Sequence, residues 1–412
     1  MTKYRVAVTG LGVAAPLGHS VAELFTNLTA GRSAIQVLPA PLSDVMHARI
    51  GAVVEFDGRA HFSTPRLRML DRVSQLALMA AQRAVADARI DFAAQSPDRC
   101  GVFVGTGMAG AATTDEGYRL LYGEQSDRIP PYTVLGAMTN AAAAWVGMEY
   151  GITGPNLTYS TACSSSAVAL GEAARRVQSG ETEVMLAGGA EAPLTPGVLH
   201  AWGAMRTLAT PDEREPSASC RPFSRNRSGL VLAEGAAFVV LEQWQRAIAR
   251  GACIHAELSG YGLSTDVVHI TRPTPEGQAR AMRAALLSAR RQADAIDYVN
   301  AHGTATLQND AVETSALKQV FGARVHEVPI SSTKSMHGHL LGAAGALEFI
   351  IAVASLERGT VPPTMHLDAP DPACDLDYVS EGARTGLSLR AAMSNSFAFG
   401  GTNAVLIAEK AD

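Results

Sequence analysis

Charge is scarce in this chain: only 18% of its 412 residues are Asp, Glu, Lys or Arg, and they sum to a formal −5. The two signs are intermixed, so the basic footprint of a nucleic-acid-binding protein is missing, and any acidic partner must meet a local patch. Cysteine is sparse too. Its five copies, Cys100, Cys163, Cys220, Cys253 and Cys374, are widely spaced, odd in number and free of any Cys-x-x-Cys pair, which argues against a disulfide framework or a zinc knuckle and fits a reducing cytoplasm. Long apolar runs are absent. No stretch reaches the roughly 18 uncharged apolar residues that a membrane span needs. The opening "MTKYRVAVTGLGVAAPLG" is broken by Thr9, Gly10, Gly12 and Pro16, so it reads as strand and turn rather than as a signal peptide.

What is present is apolar bulk. At 47% hydrophobic residues, the chain can bury a large core in two or three domain-sized units. Short β-rich runs bounded by glycine recur: "YRVAVTGLG", "CGVFVGTG", "EVMLAGGAE", "GAAFVVLEQW", "IDYVNAHG", "VPISSTKS" and "AVLIAEK". Between them lie helical patterns. In "SAVALGEAARRVQSG", Ala167, Leu170, Ala174 and Val177 share a face and Gly180 marks the stop; "TPRLRMLDRVSQLALMAAQRAVADA" reads as one helix entered at Pro65. Near-continuous apolar strands alternating with helices imply sheets buried on both faces, hence α/β layers. A halfway division near residue 250 separates units 1–250 and 251–412, and the polar stretch "TLATPDEREPSASCRPFSRNRSG" reads as a long surface excursion.

Two patterns mislead. Gly105, Gly107 and Gly110 satisfy a dinucleotide-binding spacing, but no second strand ending in an acid follows at the required distance, so they read as tight turns. Cys163, His302 and Asn395 stand in the order of a cysteine hydrolase, a reading that ignores the other histidines.

Cys163 lies where an extended run gives way to a helix, a place where free N–H groups and the helix dipole are expected to lower a thiol pKa. Its neighbours Ala162, Ser164, Ser165 and Ser166 are small, which leaves room for a substrate. His302 ends the strand-like "DYVNAHGTAT", and Lys334, His337 and His339 precede a helix of small residues. Histidines at two element ends beside a helix-start cysteine form an active-site pattern.

The segments "TACSSS", "NAHGTAT", "STKSMHGHLLGAAGALE" and "NSFAFGGTN", in this order and at these separations, resemble the 3-oxoacyl-acyl-carrier-protein synthases of the elongating Cys-His-His type. The similarity runs from "VAVTGLG" to "GGTNAVLI"; "GGAEAPLTPGVLHAWGAMRTLA", "CRPFSRNRSGLVLAEGA" and "KSMHGH" are similar to the nodulation-type branch, with the type II polyketide and polyene branch as the other affiliation. This resemblance implies a thiolase-like α/β fold of five alternating layers (α-β-α-β-α) in two similar halves. It further implies a homodimer, or a heterodimer with a related ketosynthase or chain-length factor. By the same resemblance no bound metal or cofactor is expected, and phosphopantetheine is expected to arrive on an acyl carrier protein.

The resemblance also implies roles. Cys163 accepts the acyl chain, and the backbone N–H groups of Cys163 and Phe399 form the oxyanion hole. His302 and His339 stabilise the enolate left when a malonyl thioester loses CO2. Lys334, with Glu313 and Glu348, forms an ion-pair network that orients them. Phe397 lies by the malonyl carboxylate, Phe399 gates the acyl pocket, and Met108 lines its wall. Thr304 and Thr306 touch the phosphopantetheine arm, and Arg66, Arg68, Arg128 and Arg206 meet the acidic carrier. Two residues depart from many relatives, His337 in place of threonine and Ala398 in place of glycine; the latter is expected to restrict the gate's backbone. The rival readings are a non-catalytic chain-length factor, which usually lacks the nucleophile, and a thiolase, whose second cysteine "FAFGGTN" does not supply.

Overall fold

The computed structural model describes residues 4–44 and 49–411. Its strands are β1 (Val6–Ala14), β2 (Ile35–Val37), β3 (Ile50–Ala52), β4 (Cys100–Gly105), β5 (Asn156–Tyr159), β6 (Val184–Glu191), β7 (Gly235–Gln243), β8 (Ala256–Thr265), β9 (Tyr298–Asn300), β10 (Ile330–Ser331), β11 (Ala391–Phe397) and β12 (Thr402–Lys410). Apart from the small β2–β3 hairpin, they follow one order, β10-β9-β11-β12-β8-β1-β7-β6-β4-β5. The middle link is thin: β1 and β8 pair only through Ala7 with Glu257 and Val8 with Ala256.

On either side of that link the pattern is the same. From β1 outward, the pairings β1–β7 and β7–β6 are antiparallel, and β6–β4 and β4–β5 are parallel. From β8 outward, β8–β12 and β12–β11 are antiparallel, and β11–β9 and β9–β10 are parallel. Every residue of β1, β4 and β6 is buried, as continuous apolar runs require when both faces are covered. Helices Ser165–Ser179 and Ala344–Arg358 each touch strands of both five-strand groups and pack on each other. Outside them, helix Arg72–Ala88 covers β1 and β7, while helix Pro275–Ala289 covers β8 and β12. The result is the five-layered, thiolase-like arrangement of two similar halves.

The structure corrects two sequence expectations. The single helix expected over 64–88 is two, Thr64–Leu67 and Arg72–Ala88, because Asp71 caps the second. Its buried carboxylate accepts from the N–H of Val73 at 2.9 Å and from the N–H and hydroxyl of Thr113 at 2.7 and 2.6 Å, so the chain turns to bring that side chain inward. The stretch 207–229 is a surface excursion only in part. Phe223 is fully buried and stacks on Tyr378 with ring centroids 3.7 Å apart. Arg227, also buried, pairs with Asp371 and bonds the carbonyls of Thr306 and Leu307 at 3.0 Å. Glu213, Arg214, Glu215, Arg225 and Asn226 stay exposed, so the stretch alternates between surface and core.

Candidate active site

Cys163 sits in a short turn, Ala162–Ser164, between β5 and the central helix that begins at Ser165. Ala162 adopts φ 49°, a left-handed value that a residue with a Cβ rarely takes. Local bonds hold it there. The Ser165 hydroxyl accepts from the N–H of Thr161 at 2.9 Å and donates to the Ala162 carbonyl at 2.6 Å. Ser166 accepts from the N–H of Ala346 at 2.9 Å, tying the turn to the second central helix. Ser164, Ser165 and Ser166 are therefore fully buried and spent on structure. The room beside the sulfur lies on its other side, in a cavity of about 420 Å³ lined by Cys163, His302, His339, Thr304, Phe397 and Phe399 among others.

Three reactive atoms meet there. The Cys163 sulfur and one ring nitrogen each from His302 and His339 lie within 4.8 Å of one another, and the two imidazoles cross edge to face with centroids 5.4 Å apart. A soft divalent ion could take the same three atoms, and would then occupy the sulfur. His302 follows β9, and Glu313 fixes its backbone by accepting from the N–H groups of His302 and Gly303, each at 2.8 Å. Glu313 is thus a backbone anchor rather than a member of an ion pair. Lys334 and Glu348, both 1% exposed, form that ion pair, and the Lys334 ammonium reaches Nδ1 of His302 at 3.5 Å. Nδ1 of His339 accepts from the N–H of Leu341 at 3.2 Å. With Nδ1 accepting in both rings, the proton of each neutral imidazole resides on Nε2. Nε2 of His339 is buried and has no partner among the described residues.

Burial, reinforced by Lys334, holds both imidazoles well below the ordinary histidine range, so both are neutral. The expected lowering of the thiol is not what the site does. Burial pushes Cys163 up to about 12, against the pull of Lys334 and of a hydrogen bond from the Phe399 N–H; the loss of water around a charged sulfur outweighs both.

The other named residues divide. Thr304, Thr306, Phe397, Phe399 and Ala398 line the cavity. The hydroxyls of Thr304 and Thr306 are 2.9 Å apart, the Phe397 ring stands 6.0 Å from His302, and Phe399 stacks on Trp202 at 6.0 Å. Met108 is not brought to this lining; it is 37% exposed, and its N–H bonds Glu191 at 2.9 Å. The left-handed residues of the gate turn are Gly400 (φ 84°) and Gly401 (φ 82°) rather than Ala398, so alanine there is unstrained. His337 closes its own turn, with Nε2 2.9 Å from the Thr333 hydroxyl and Nδ1 2.7 Å from the Gly338 carbonyl. Arg206 stands at the cavity mouth. Arg68 and Arg128 are exposed elsewhere, and Arg66 is committed to Glu149 at 2.5 Å.

Both misleading patterns resolve. The turn holding Gly107 spends the N–H groups of Gly107 and Met108 on the buried carboxylate of Glu191, so they do not face a phosphate. Asn395 bonds Glu313 at 3.1 Å, whereas the His302 ring is addressed by Lys334, so the hydrolase arrangement is absent. Sequence reading missed Glu191, Trp202 and Arg272, the last also at the cavity mouth; each gains its place only by folding.

Comparison with known proteins agrees with this geometry. Residues 3–247 match the family model "Beta-ketoacyl synthase, N-terminal domain", and residues 255–368 match "Beta-ketoacyl synthase, C-terminal domain". The chain is 44% identical to nodulation protein E of Rhizobium meliloti (strain 1021), over 98% of each chain. It is 38% identical to 3-oxoacyl-[acyl-carrier-protein] synthase 2 of Coxiella burnetii, over 99% of each. Among solved structures, the ishigamide ketosynthase/chain length factor superposes with a TM-score of 0.93 at 32% identity, covering 100% of both chains. A type II polyketide ketosynthase in complex with its acyl-carrier protein, bound to the hexaketide, gives 0.91 at 32% identity over 99% of this chain and 100% of that one. A paired imidazole site beside a buried cysteine, on a fold of two similar halves, is accordingly the site of a chain that belongs to the beta-ketoacyl synthase family.

Proposed function

We propose that the protein performs a decarboxylative Claisen condensation: an acyl group carried on Cys163 is joined to a malonyl unit on an acyl carrier protein, giving a 3-oxoacyl thioester and CO2, in fatty-acid or polyketide chain elongation. The observation that carries this reading is the convergence of the Cys163 sulfur and two imidazole nitrogens within 4.8 Å. In the first half-reaction the acyl carbonyl moves from the carrier's sulfur to Cys163, and the thiol proton leaves with the carrier thiol. In the second, loss of CO2 from the malonyl thioester leaves an enolate, whose oxygen takes hydrogen bonds from the two Nε2–H donors. The enolate carbon then attacks the Cys163 thioester; the resulting oxyanion faces the N–H groups of Cys163 and Phe399, and its collapse breaks the C–S bond and releases the Cys163 thiolate, which takes a proton from water to return as the thiol.

Neutral imidazoles suit this work. Each is a fixed N–H donor in a dry site, where one such donor contributes about 3 kcal/mol, on the order of 10²–10³ in rate. Lys334 holds the tautomer of His302, which makes it a positioning group and not a base. Thr304 and Thr306 place hydroxyls along the path of the phosphopantetheine arm, which comes with the carrier. Arg206 at the mouth is the docking residue best placed for an acidic carrier; the committed pair of Arg66 weakens its claim. A non-catalytic chain-length-factor role is disfavoured because Cys163, His302 and His339 all stand in one cavity.

Leu157 is exposed on the free edge strand β5, and Met148 is exposed on the helix Ala141–Tyr150 that packs on it; we assign this edge to pairing with a second ketosynthase-like chain, identical or related. Among the described residues no helix is long and apolar enough to cross a membrane, and five free cysteines suit a reducing cytoplasm. We take 1–250 and 251–412 as the two ketosynthase halves.

The test is direct. Purified protein given acyl-carrier and malonyl-carrier thioesters makes a 3-oxoacyl product, and intact-protein mass spectrometry finds the acyl group on Cys163. Cys163→Ala makes no product and gains no acyl mass; equal product from that variant removes the nucleophile assignment. Arg206→Glu raises KM for the carrier and flattens its salt dependence.

A further inference from the structure

Glu191, the last residue of β6, is fully buried and accepts four hydrogen bonds. Its Oε2 takes the N–H of Gly107 at 2.6 Å and of Gly342 at 2.9 Å; its Oε1 takes the N–H of Met108 at 2.9 Å and the hydroxyl of Thr106 at 3.2 Å. These donors come from two turns in different halves of the chain. The turn 106–108 follows β4 and lies against the nucleophile turn, since a Cβ on Gly107 would stand 3.8 Å from the Ala162 carbonyl. The turn around Leu341 and Gly342 follows His339, and its Leu341 N–H is the donor that fixes the His339 ring. The two touch backbone to backbone: a Cβ on Gly342 would be 2.4 Å from the Gly107 nitrogen.

We propose that Glu191 is a positioning residue that staples the His339 turn to the turn beneath Cys163, and so sets the spacing between the nucleophile and the enolate donor. The proposal rests on the reading of those two residues given above. Only an ionised carboxylate meets the requirement, because four donors converge and both oxygens must accept. A glutamine presents one accepting oxygen and one NH2: with its oxygen in the Oε1 place it abandons the Gly107 and Gly342 N–H groups that join the two turns, and with its oxygen in the Oε2 place it abandons the Met108 N–H. The charge has a second consequence. The charged groups acting on the Cys163 sulfur are Lys334, which favours the thiolate, and Glu191 and Glu348, which oppose it. The staple therefore makes the thiol harder to ionise while holding the geometry that condensation needs.

This separation gives a test that a general loss of structure would not mimic. Burial pushes Glu191 up to about 7, so the assays are run near pH 8. Condensation is followed with acyl- and malonyl-carrier thioesters, and iodoacetamide alkylation of the Cys163 peptide is followed by mass spectrometry. In Glu191→Gln, condensation falls on the order of 10²-fold through misplacement, while alkylation of Cys163 rises roughly threefold or more because a facing negative charge is gone. In Glu191→Asp, which keeps the charge but not the reach, condensation falls and alkylation does not rise. Condensation at the wild-type rate in either variant overturns the proposal, as does alkylation in Glu191→Gln that is unchanged or slower. Absence of product from the wild-type protein would instead strike the reading of the site itself.

Discussion

Lys334 shows what burying a charge demands. It is 1% exposed, its only ion partner among the described residues is Glu348, and it also addresses Nδ1 of His302. Removing one member of a buried pair strands the other, at about 3–5 kcal/mol. Lys334→Met is thus expected to lose stability on that scale in denaturant unfolding. The loss depends on pH. Burial raises Glu348 to about 7 even with Lys334 pulling it down, so the folded variant binds a proton that the unfolded chain releases near 4.5. Its stability must then fall as pH rises through that window, and Lys334→Met should unfold at lower denaturant at pH 8 than at pH 5. Lys334→Met with Glu348→Leu removes both charges and should recover most of the stability, yet condense poorly because His302 has lost the donor to its Nδ1. At this scale the sequence was readable where chemistry demands a residue type: Cys163, His302, Lys334 and His339 stand in one site as their motifs imply. Glu191 and Trp202 were not readable, since nothing in "GGAEAP" or "HAWGA" says which distant turn or ring they will meet. The thiol failed for a related reason: the helix-start argument is local, whereas desolvation depends on everything packed around the sulfur.

Among elements, continuous apolar runs identified most of the long strands; β2 and β3, of three residues each, are too short to show a pattern, and the two long strands missed share a cause. β8, "AELSGYGLST", and β11, "AAMSNSF", carry Ser and Gly at positions facing packed helices, so their composition reads as turn. The glycines of β8 are a packing requirement. A Cβ on Gly262 would lie 2.0 Å from the Ala281 carbonyl and 2.4 Å from the Ala285 nitrogen, both backbone atoms of helix Pro275–Ala289. Gly12 of β1 stands in the matching place of the other half, 2.1 Å from the Ala80 carbonyl and 2.3 Å from the Ala84 nitrogen of helix Arg72–Ala88. No rotamer change relieves a clash with backbone, so the helix itself must lift from the sheet. Gly262→Ala is expected to cost about 3 kcal/mol, the upper part of the overpacking range, read as a lowered unfolding midpoint. Gly400→Ala, whose Cβ meets nothing within 4 Å, isolates the strain of a left-handed backbone and should cost less, about 1 kcal/mol.

Across the whole molecule, the site exists because two similar halves are clasped, one bringing Cys163 and the other His302 and His339. The thin β1–β8 link has little ladder of its own, and a charged cluster stands beside it. His255, just before β8, donates its N–H to the Val8 carbonyl of β1 at 2.9 Å. Its ring bridges Asp87 of helix Arg72–Ala88 at 2.8 Å and Glu357 of the central helix Ala344–Arg358 at 2.6 Å. Asp87 in turn accepts from the N–H of Leu11 in β1 at 2.8 Å. Burial alone would depress this imidazole, but the two carboxylates outweigh it and raise it from 6.5 to about 10. A cation whose folded pKa exceeds its unfolded value stabilises fully below the unfolded value and loses that contribution as pH climbs through the folded one. The clasp should therefore be intact at pH 6, weaken progressively above 6.5, and be gone once pH passes about 10. Thermal unfolding of His255→Gln against the parent checks this: the gap between their midpoints should be widest at pH 6 and close as pH approaches 10, and a constant gap would mean that the imidazole contributes by packing and not by charge.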